Sequence, residues 1–150
     1  MTEGWPELAK VKTVEDDRIR EQEHGLSLIY NDWRVFHTFH PEQKELRDLM
    51  GRYWYQYPQG ESVSQVRDRI RLFLDMLIRE CAGKDVLIVS HHLTKLSVRA
   101  NLERFSDEEF IRLDEHETPV NCGITTYKGN PDAGSNGRLE LEYYNKKLWT

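Results

Sequence analysis

A short apolar segment at residues 85–89 constrains the fold of this chain more than any other feature. Its sequence, Asp-Val-Leu-Ile-Val, shows no polar alternation, which is typical of a strand buried on both faces of a parallel sheet. Apolar residues recur every three or four positions through residues 63–78 before it, and a second helix is predicted over residues 93–102 after it. A helix, a buried strand and a further helix in this order predict an α/β fold.

Local signals indicate where the helices begin. Ser62 with Gln65, and Ser106 with Glu109, match the capping box that starts a helix. Residues 41–55 are predicted to contain another helix, because they begin with proline, which is favourable in a first turn. The charged face of the long helix is predicted to be solvated, and its members are Arg67, Asp68, Arg71, Asp75 and Arg79.

The C-terminal part of the chain follows a different pattern. Residues 123–127 are predicted as one strand, and residues 139–144 alternate apolar and polar side chains as a half-buried strand does. The connection at 128–137 consists mainly of turn-forming residues, so the two strands are predicted to form an antiparallel hairpin. A mainly parallel sheet with this C-terminal hairpin agrees with both patterns.

Composition restricts the class of protein. A length of 150 residues predicts a single domain over 1–150, and 38% hydrophobic with 31% charged residues is typical of a globular chain. A net charge of −5 provides no electrostatic basis for nucleic acid binding. No apolar segment approaches the roughly 20 residues of a membrane span, and the two distant cysteines, Cys81 and Cys122, favour a reducing compartment. We therefore expect a cytoplasmic protein that binds neither nucleic acid nor membranes.

Ser90, His91 and His92 directly follow the predicted strand and precede the predicted helix. Ligands of α/β sheets bind beyond the carboxyl ends of the strands, and the free N–H groups of a helix N-terminus favour an anion. An imidazole can act there as a nucleophile, a general base or a charged hydrogen-bond donor. The position predicts a phosphate or carboxylate site, and an ordinary polar loop is an equal alternative at this point.

Four segments together resemble the sequence blocks of the histidine phosphatase superfamily, which includes the phosphoglycerate mutases. Residues 86–91, Val-Leu-Ile-Val-Ser-His, resemble its second histidine block, and residues 18–25, Arg-Ile-Arg-Glu-Gln-Glu-His-Gly, resemble its acidic block. Residues 57–62, Tyr-Pro-Gln-Gly-Glu-Ser, followed by a helix with Arg69, resemble its Gly-Glu-Ser block. Residues 118–123, Thr-Pro-Val-Asn-Cys-Gly, resemble its late Pro-Asn turn. The order of the blocks is specific, and the broad-specificity phosphatase branch is the most similar.

The resemblance implies a phosphoglycerate mutase-like three-layer α/β sandwich and a role for particular residues. His91 matches the histidine that holds the transferring phosphoryl group, and Glu21 matches the general acid that protonates the leaving oxygen. Arg20 is positioned in sequence to pair with phosphate oxygens. Without the family, Glu21 would be interpreted as a solvated charge in an acidic segment, and Arg20 is equally expected as a surface residue.

The resemblance also implies a set of substrate-binding residues, which adds Ser90, His92, Leu93, Asn121 and Cys122 to Arg20. His92 departs from the family pattern, in which glycine commonly follows the histidine. Asn121 is equally expected as a simple turn residue. Cys122 is expected to be a small buried residue rather than a nucleophile.

The family's first strand ends in an Arg-His-Gly motif with the nucleophilic histidine, and this triplet is absent from the 150 residues. The His24-Gly25 pair follows Glu23 inside the acidic block, so we reject it as the nucleophile. Residues 4–8 are interpreted as the end of the family's first βαβ portion, so an N-terminally truncated domain is expected. The strand at 85–89 would then have an unpaired edge, which favours a homo-oligomer or swapped dimer with impaired activity.

The expected function is phosphoryl transfer by a histidine phosphatase, with phosphomonoester hydrolysis favoured over mutase activity. The expected ligand is a small phosphorylated substrate or inorganic phosphate, and no cofactor or metal is expected. A non-catalytic phosphate-binding or protein-interaction module, with the aromatic-rich segment 30–57 as its surface, is the alternative. A metal site at His37 and His40 is a weaker interpretation, because their spacing matches no zinc pattern.

Overall fold

The computed structural model describes residues 10–134 and 137–148 of the chain. Residues 4–8, interpreted above as the end of a βαβ portion, lie outside this described part. Two short 3₁₀ helices, Asp17–Ile19 and Gly25–Tyr30, come first. They are followed in chain order by α1 (Trp33–Phe39), α2 (Pro41–Met50), α3 (Val63–Cys81), α4 (His92–Leu102), α5 (Asp107–His116), β1 (Ile124–Asn130) and β2 (Arg138–Lys146).

The predicted helices are present and begin where the sequence signals place them. At the start of α3, the Gln65 N–H donates to the Ser62 hydroxyl, and the Ser62 N–H donates to the Gln65 side chain. Ser106 and Glu109 form the same capping box at the start of α5. These bonds satisfy N–H groups that a helix start leaves free, which is why the boundaries were predictable. Among the described helices, none combines the length and apolar character needed to span a bilayer.

The hydrophobic core lies between α3, α4 and α5. One cluster of buried side chains comes from α3 alone and consists of Val66, Ile70, Phe73 and Leu74. A second cluster joins the three helices through Val63, Leu93, Leu96, Ala100, Phe110 and Leu113, together with Tyr53. Because burial of apolar surface contributes roughly 25 cal/mol per Å², this packing fixes the position of α4. The N-terminus of α4, with the two adjacent histidines, is therefore presented on a rigid element.

The prediction of a strand buried on both faces at residues 85–89 is wrong for the described part of the chain. The segment forms no regular secondary structure and pairs with no strand there. Val86, Leu87 and Val89 are 46%, 84% and 68% exposed, and Ile88 alone packs against the α3 cluster. A strand is buried by neighbouring strands, and its hydrogen-bonding edges stay open without them. The described residues leave this segment unpaired, and the association of copies through it stays a prediction.

β1 and β2 form the predicted antiparallel hairpin, with Tyr127 opposite Leu141. It is the one sheet formed within residues 10–134 and 137–148, so no parallel pairing occurs there. Arg99 of α4 holds the hairpin in place, because its guanidinium lies 4.0 Å over the Tyr144 ring. Glu103 accepts hydrogen bonds from Arg99 Nε at 2.8 Å and from the Tyr127 hydroxyl. The hairpin is thereby fixed to the same helix that presents the histidines.

Arg67 departs from the solvated face predicted for α3. Its Nη2 donates to the carbonyl oxygens of Phe105 at 2.6 Å and Ala100 at 3.2 Å, and its Nη1 donates to the Tyr53 hydroxyl at 3.1 Å. Arg67 therefore binds carbonyls in the last turn of α4 and just after it instead of facing water, because its fork of donors reaches several acceptors at once. The remaining members of that face are exposed as predicted, namely Asp68, Arg71, Asp75 and Arg79.

The aromatic-rich segment folds into a third cluster formed by Phe36, Tyr55 and Tyr57. His37 lies among these rings, is 5% exposed, and neither ring nitrogen has a hydrogen-bond partner among the described residues. Burial, together with the positive charge of Arg47, lowers the pKa of His37. The ring is therefore neutral at pH 7 and contributes to aromatic packing.

Candidate active site

The loop of the acidic block is tied to α3 by the Arg69 guanidinium. Arg69 Nη1 donates to the carbonyl oxygens of Arg18 at 2.6 Å and Arg20 at 2.9 Å, and Nη2 donates to that of Glu21 at 3.0 Å. The Glu61 carboxylate accepts from Arg69 Nε at 2.9 Å and from Nη2 at 3.0 Å. Both side chains are largely buried, at 11% and 14% exposed. One side chain on a rigid helix therefore determines the path of the loop.

Residues around the start of α4 bind the same loop from the other side. The Ser90 hydroxyl donates to the Ile19 carbonyl oxygen, and the fully buried Thr94 hydroxyl donates to the Arg20 carbonyl oxygen at 2.6 Å. Ser90, predicted to bind substrate, therefore has its hydroxyl proton committed to the main chain of the acidic loop. The main-chain carbonyls of the loop are satisfied by protein donors, as buried carbonyls require.

These contacts place the Glu21 carboxylate at the N-terminus of α4. Its Oε2 accepts a hydrogen bond from the Leu93 N–H at 3.2 Å, although 72 positions separate the two residues in sequence. Its Oε1 accepts from the Gln22 N–H at 2.8 Å. The Leu93 N–H is one of the donors that a helix start leaves free. A carboxylate therefore lies beside the donors that would bind an anion.

His91 and His92 differ sharply in their surroundings. His91 is the residue that precedes α4, its side chain makes no capping bond, and it is exposed. His92 is the first residue of α4, and its Nε2 lies 2.6 Å from Oδ1 of Asp114. The site therefore holds one free imidazole and one bound imidazole beside the Glu21 carboxylate.

His24, rejected above as the nucleophile, is a close neighbour of Glu21. Its Nε2 lies 3.2 Å from the Gln22 side-chain oxygen, and its ring meets that of Tyr57 edge-on at 4.8 Å. Burial lowers the pKa of His24, and the positive charge of Arg52 lowers it further against the opposing effect of Glu21. A neutral imidazole at pH 7 follows, which adds no positive charge to the site.

The late Pro-Asn turn reaches the site through Lys95 of α4. The Gly123 N–H donates to the Val120 carbonyl oxygen at 3.0 Å and closes the turn, and Lys95 Nζ donates to the Gly123 carbonyl oxygen at 3.0 Å. Asn121 and Cys122 are both exposed, so the prediction of a buried Cys122 is wrong. Cys122 has a φ of 56° within this surface turn. Turns run over the surface, and their central side chains stay in solvent.

Arg20 lies at the site but is already paired. Its Nη2 donates to Glu61 Oε1 at 2.9 Å, its Nη1 donates to the Asp17 carbonyl oxygen at 3.1 Å, and its side chain is 46% exposed. The main-chain carbonyl of Arg20 is bound by Arg69 and Thr94, as described above. To bind a phosphate oxygen, the guanidinium would have to share or release the Glu61 carboxylate.

Sequence reasoning missed three residues that shape the site, namely Thr94, Lys95 and Asp114. Thr94 and Lys95 carried one available signal, because they follow the two histidines within one helical turn. Asp114 lies on α5, and its contact with His92 spans 22 positions. No spacing rule connects the last turn of one helix with the first turn of another, so this contact required the tertiary structure.

The two histidines of the weaker metal hypothesis serve other contacts. His40 Nε2 lies 2.8 Å from the Tyr30 hydroxyl, and His37 is buried among aromatic rings. In the part of the chain that the structure describes, no group of three or more His, Cys, Asp or Glu residues is arranged to hold a metal ion. The N-terminus of α4 offers N–H donors, two imidazoles and the Glu21 carboxyl group. These groups together suit phosphoryl binding and proton donation.

The sequence blocks that meet at this site are those of the histidine phosphatase class of proteins. The sequence model of the histidine phosphatase superfamily (branch 1) matches residues 6–137, and the chain belongs to that superfamily. Among curated relatives, the phosphoglycerate mutase-like protein AT74H of Arabidopsis thaliana is 32% identical over 121 residues, covering 74% of this chain and 41% of its own length. The related AT74 of the same plant is 31% identical over 110 residues, covering 67% and 33%. The chain thus spans less than half the length of either relative.

Two solved structures have a similar fold. Mycobacterial hydrolase 1 superposes with a TM-score of 0.64 at 21% identity, covering 89% of this chain and 64% of that one. A mycobacterial glucosyl-3-phosphoglycerate phosphatase, solved with inorganic phosphate, superposes with a TM-score of 0.59 at 20% identity, covering 87% and 63%. The mixed helix-and-sheet architecture with its C-terminal hairpin is therefore the histidine phosphatase fold.

Proposed function

We propose that this chain provides the phosphoryl-holding half of a phosphomonoesterase site at the N-terminus of α4. The observation that carries the proposal is the hydrogen bond from the Leu93 N–H to the Glu21 carboxylate, two residues after the exposed His91. In this proposal the exposed His91 ring and the N–H groups of His92 and Leu93 bind the phosphoryl oxygens, and the Leu93 N–H exchanges its bond with Glu21 for one with the phosphoryl group. The solved neighbour with bound inorganic phosphate supports this choice of ligand.

Glu21 is proposed as the general acid that protonates the leaving oxygen. Its Oε2 already accepts from a donor that a bound phosphoryl group would also use. An incoming phosphate would bring negative charge next to the carboxylate, and such charge favours the protonated acid. The protonated carboxyl would then be a donor toward the leaving oxygen, as general acid catalysis requires.

We propose that the complete site hydrolyses phosphomonoesters and does not transfer the phosphoryl group from one substrate hydroxyl to another. The similarity of residues 18–25 and 57–62 to the phosphatase branch supports this choice. The small phosphorylated substrate would contact the site from the side of Arg20 and of the turn that carries Asn121 and Cys122. The Arg20–Glu61 pair would have to open for Arg20 to take part.

Replacing His91 by alanine is expected to weaken binding of inorganic phosphate about tenfold or more, because a hydrogen bond to a charged group contributes about 1.5–3 kcal/mol. Isothermal titration calorimetry with inorganic phosphate, at fixed ionic strength, measures this. The matched control is His116→Ala, since His116 is also exposed but lies at the end of α5. Equal affinities in the wild-type chain and His91→Ala would contradict the proposal.

The alternative, phosphate binding without catalysis, is favoured by one observation. The 150 residues contain no Arg-His-Gly triplet, so we propose that they bind phosphate but turn over phosphomonoesters poorly. Turnover of p-nitrophenyl phosphate is the measurement. Hydrolysis by this chain that disappears in His91→Ala would reject poor turnover and establish catalysis by the residues present.

We further propose that the chain forms a homo-oligomer or a swapped dimer through the exposed edge at residues 85–89. Leu87 and Val89 are 84% and 68% exposed there, and an open apolar edge readily pairs with another strand. Size-exclusion chromatography with light scattering is expected to show a dimer or larger species, which Leu87→Lys converts to monomer. A stable, folded wild-type monomer would contradict this proposal.

We also propose a cytoplasmic location. Cys81 and Cys122 are both free thiols, and free thiols are typical of a reducing compartment.

A further inference from the structure

A buried carboxylate lies directly behind the proposed phosphoryl site. The side chain of Asp114, on α5, is 2% exposed. Its Oδ1 lies 2.6 Å from His92 Nε2, and Arg52 forms an ion pair with its Oδ2. The Thr118 hydroxyl also donates to the main-chain carbonyl oxygen of Asp114 at 3.0 Å, so the end of α5 is held as well.

Such a carboxylate is costly to bury unless its oxygens are paired. Two side chains from two other segments of the chain contact the Asp114 carboxylate: Oδ1 meets His92 within hydrogen-bond distance, and Oδ2 has the ion pair with Arg52 but no hydrogen bond from the described residues. One of them, Arg52, is 41% exposed and ties the carboxylate to the segment between α2 and α3. The other, His92, is the first residue of α4 and neighbours both His91 and the Leu93 N–H. The carboxylate therefore acts on the phosphoryl site through the His92 ring.

The contact with Asp114 determines which ring nitrogen of His92 bonds to the protein and which stays available to a ligand. An ionised carboxylate is an acceptor only, so Nε2 must carry the proton in this hydrogen bond. Nδ1 has no hydrogen-bond partner among the described residues, and the His92 side chain is 33% exposed. A ring held in this way has one nitrogen fixed to the protein and one nitrogen available to a ligand.

We propose that Asp114 is a positioning residue that fixes His92 through Nε2 and leaves Nδ1 to bond the phosphoryl group at the N-terminus of α4. This inference rests on the proposed function, because it assigns a second imidazole to the same phosphate site. With both nitrogens protonated, the ring donates to Asp114 and to a phosphate oxygen at the same time. The carboxylate offsets the charge of that ring and limits its rotation, so less entropy is lost on binding.

The test is a double-mutant cycle on binding of inorganic phosphate, measured by calorimetry. His92→Gln and Asp114→Asn are each expected to weaken binding about tenfold, and the double variant is expected to be no weaker than His92→Gln alone. Glu115→Gln is the matched control, since Glu115 is the exposed neighbour of Asp114 on the same helix. Additive losses in the double variant would overturn the inference, because they would show that Asp114 acts through the fold rather than through His92.

A second readout does not need phosphate. ¹⁵N NMR of the His92 ring in the free wild-type chain is expected to show a protonated Nε2. A neutral ring with the proton on Nδ1 would overturn the inference even if Asp114→Asn failed to fold. If the wild-type chain binds phosphate and Asp114→Asn binds it equally well, the inference fails while the proposed function stands. If the wild-type chain binds no phosphate, both fail.

Discussion

Replacing Arg69 by methionine is expected to destabilise the fold by about 3–5 kcal/mol, the cost of removing one partner from a buried ion pair. Methionine retains the apolar volume but none of the donors that bind Glu61 and the three carbonyls of the acidic loop. Glu61 would then be a largely buried carboxylate supported by the exposed Arg20 and by the Glu23 N–H. Urea unfolding at pH 7 measures the loss. Arg71→Met is the matched control, because Arg71 lies on the same helix and its side chain is 64% exposed. Its Nη2 lies 3.5 Å from Oδ1 of the exposed Asp68.

The size of this loss is expected to depend on pH. Burial by itself raises the pKa of Glu61, but the hydrogen bond from Arg69, the Glu23 N–H and nearby positive charge bring it below its ordinary value of 4.5. A carboxyl with a lowered pKa stabilises the fold above its unfolded value, and this contribution is lost as the pH falls through the folded value. The stability advantage of the wild-type chain over Arg69→Met is therefore expected to shrink as the pH falls below about 4.5. A loss as small as that of Arg71→Met, expected to be about 0–1 kcal/mol, would contradict this account of Arg69.

Replacing Gly60 by alanine is expected to destabilise the fold by about 3 kcal/mol, at the upper end of the usual cost of overpacking. The Glu61 N–H donates to the Glu23 carbonyl oxygen at 2.7 Å, so two main-chain segments cross here in close contact. A Cβ on Gly60 would overlap the Glu23 carbonyl oxygen and lie 2.8 Å from the Gly25 nitrogen. Backbone atoms on both sides leave no flexible side chain to give way, so one segment must move. The segment that a Cβ on Gly60 would push, residues 23–25, continues the loop of Glu21.

Gly129→Ala is the matched control for this steric argument. Gly129 lies in β1 and, like Gly60, has no positive φ, but a Cβ there would meet nothing within 4 Å. Its replacement is expected to change the free energy of unfolding by less than about 0.5 kcal/mol, as surface substitutions usually do. Thermal unfolding by circular dichroism compares the two variants. Gly60→Ala is also expected to bind inorganic phosphate more weakly, because the Glu21 loop is displaced. Wild-type stability in Gly60→Ala would contradict the close approach of the two segments.

The boundaries of the regular elements were within reach of the sequence, because they depend on neighbours in the chain. Ser62 with Gln65, and Ser106 with Glu109, satisfy N–H groups within three residues of themselves. The hairpin was predictable for the same reason, since alternation and turn residues act locally. The apolar face of α3 follows from helical periodicity alone. The sequence blocks also identified the family, because their order in the chain is itself sequence information.

Burial was less predictable than element type. The apolar composition of residues 85–89 predicted a covered strand, but cover depends on neighbouring strands, which the described part of the chain does not provide. Cys122 was predicted inside because cysteine is often buried, and the turn places it outside. Arg67 was predicted in solvent, but its guanidinium donates to carbonyl oxygens at the end of α4 and just after it. In each case the tertiary surroundings overrode the average tendency of the residue type: missing strands at 85–89, a surface turn at Cys122, and nearby carbonyls at Arg67.

The sequence by itself determined the helices, the hairpin, the superfamily and the position of His91 after an apolar segment. Only the tertiary structure decided what surrounds that histidine. The Glu21 carboxylate reaches Leu93 across 72 positions, and Asp114 reaches His92 across 22. Such contacts arise because α3, α4 and α5 bury a common core, and helix packing brings together residues that no local spacing relates. The sequence therefore predicted which kinds of side chain form the site. Which of them contact each other depended on the packing of the helices.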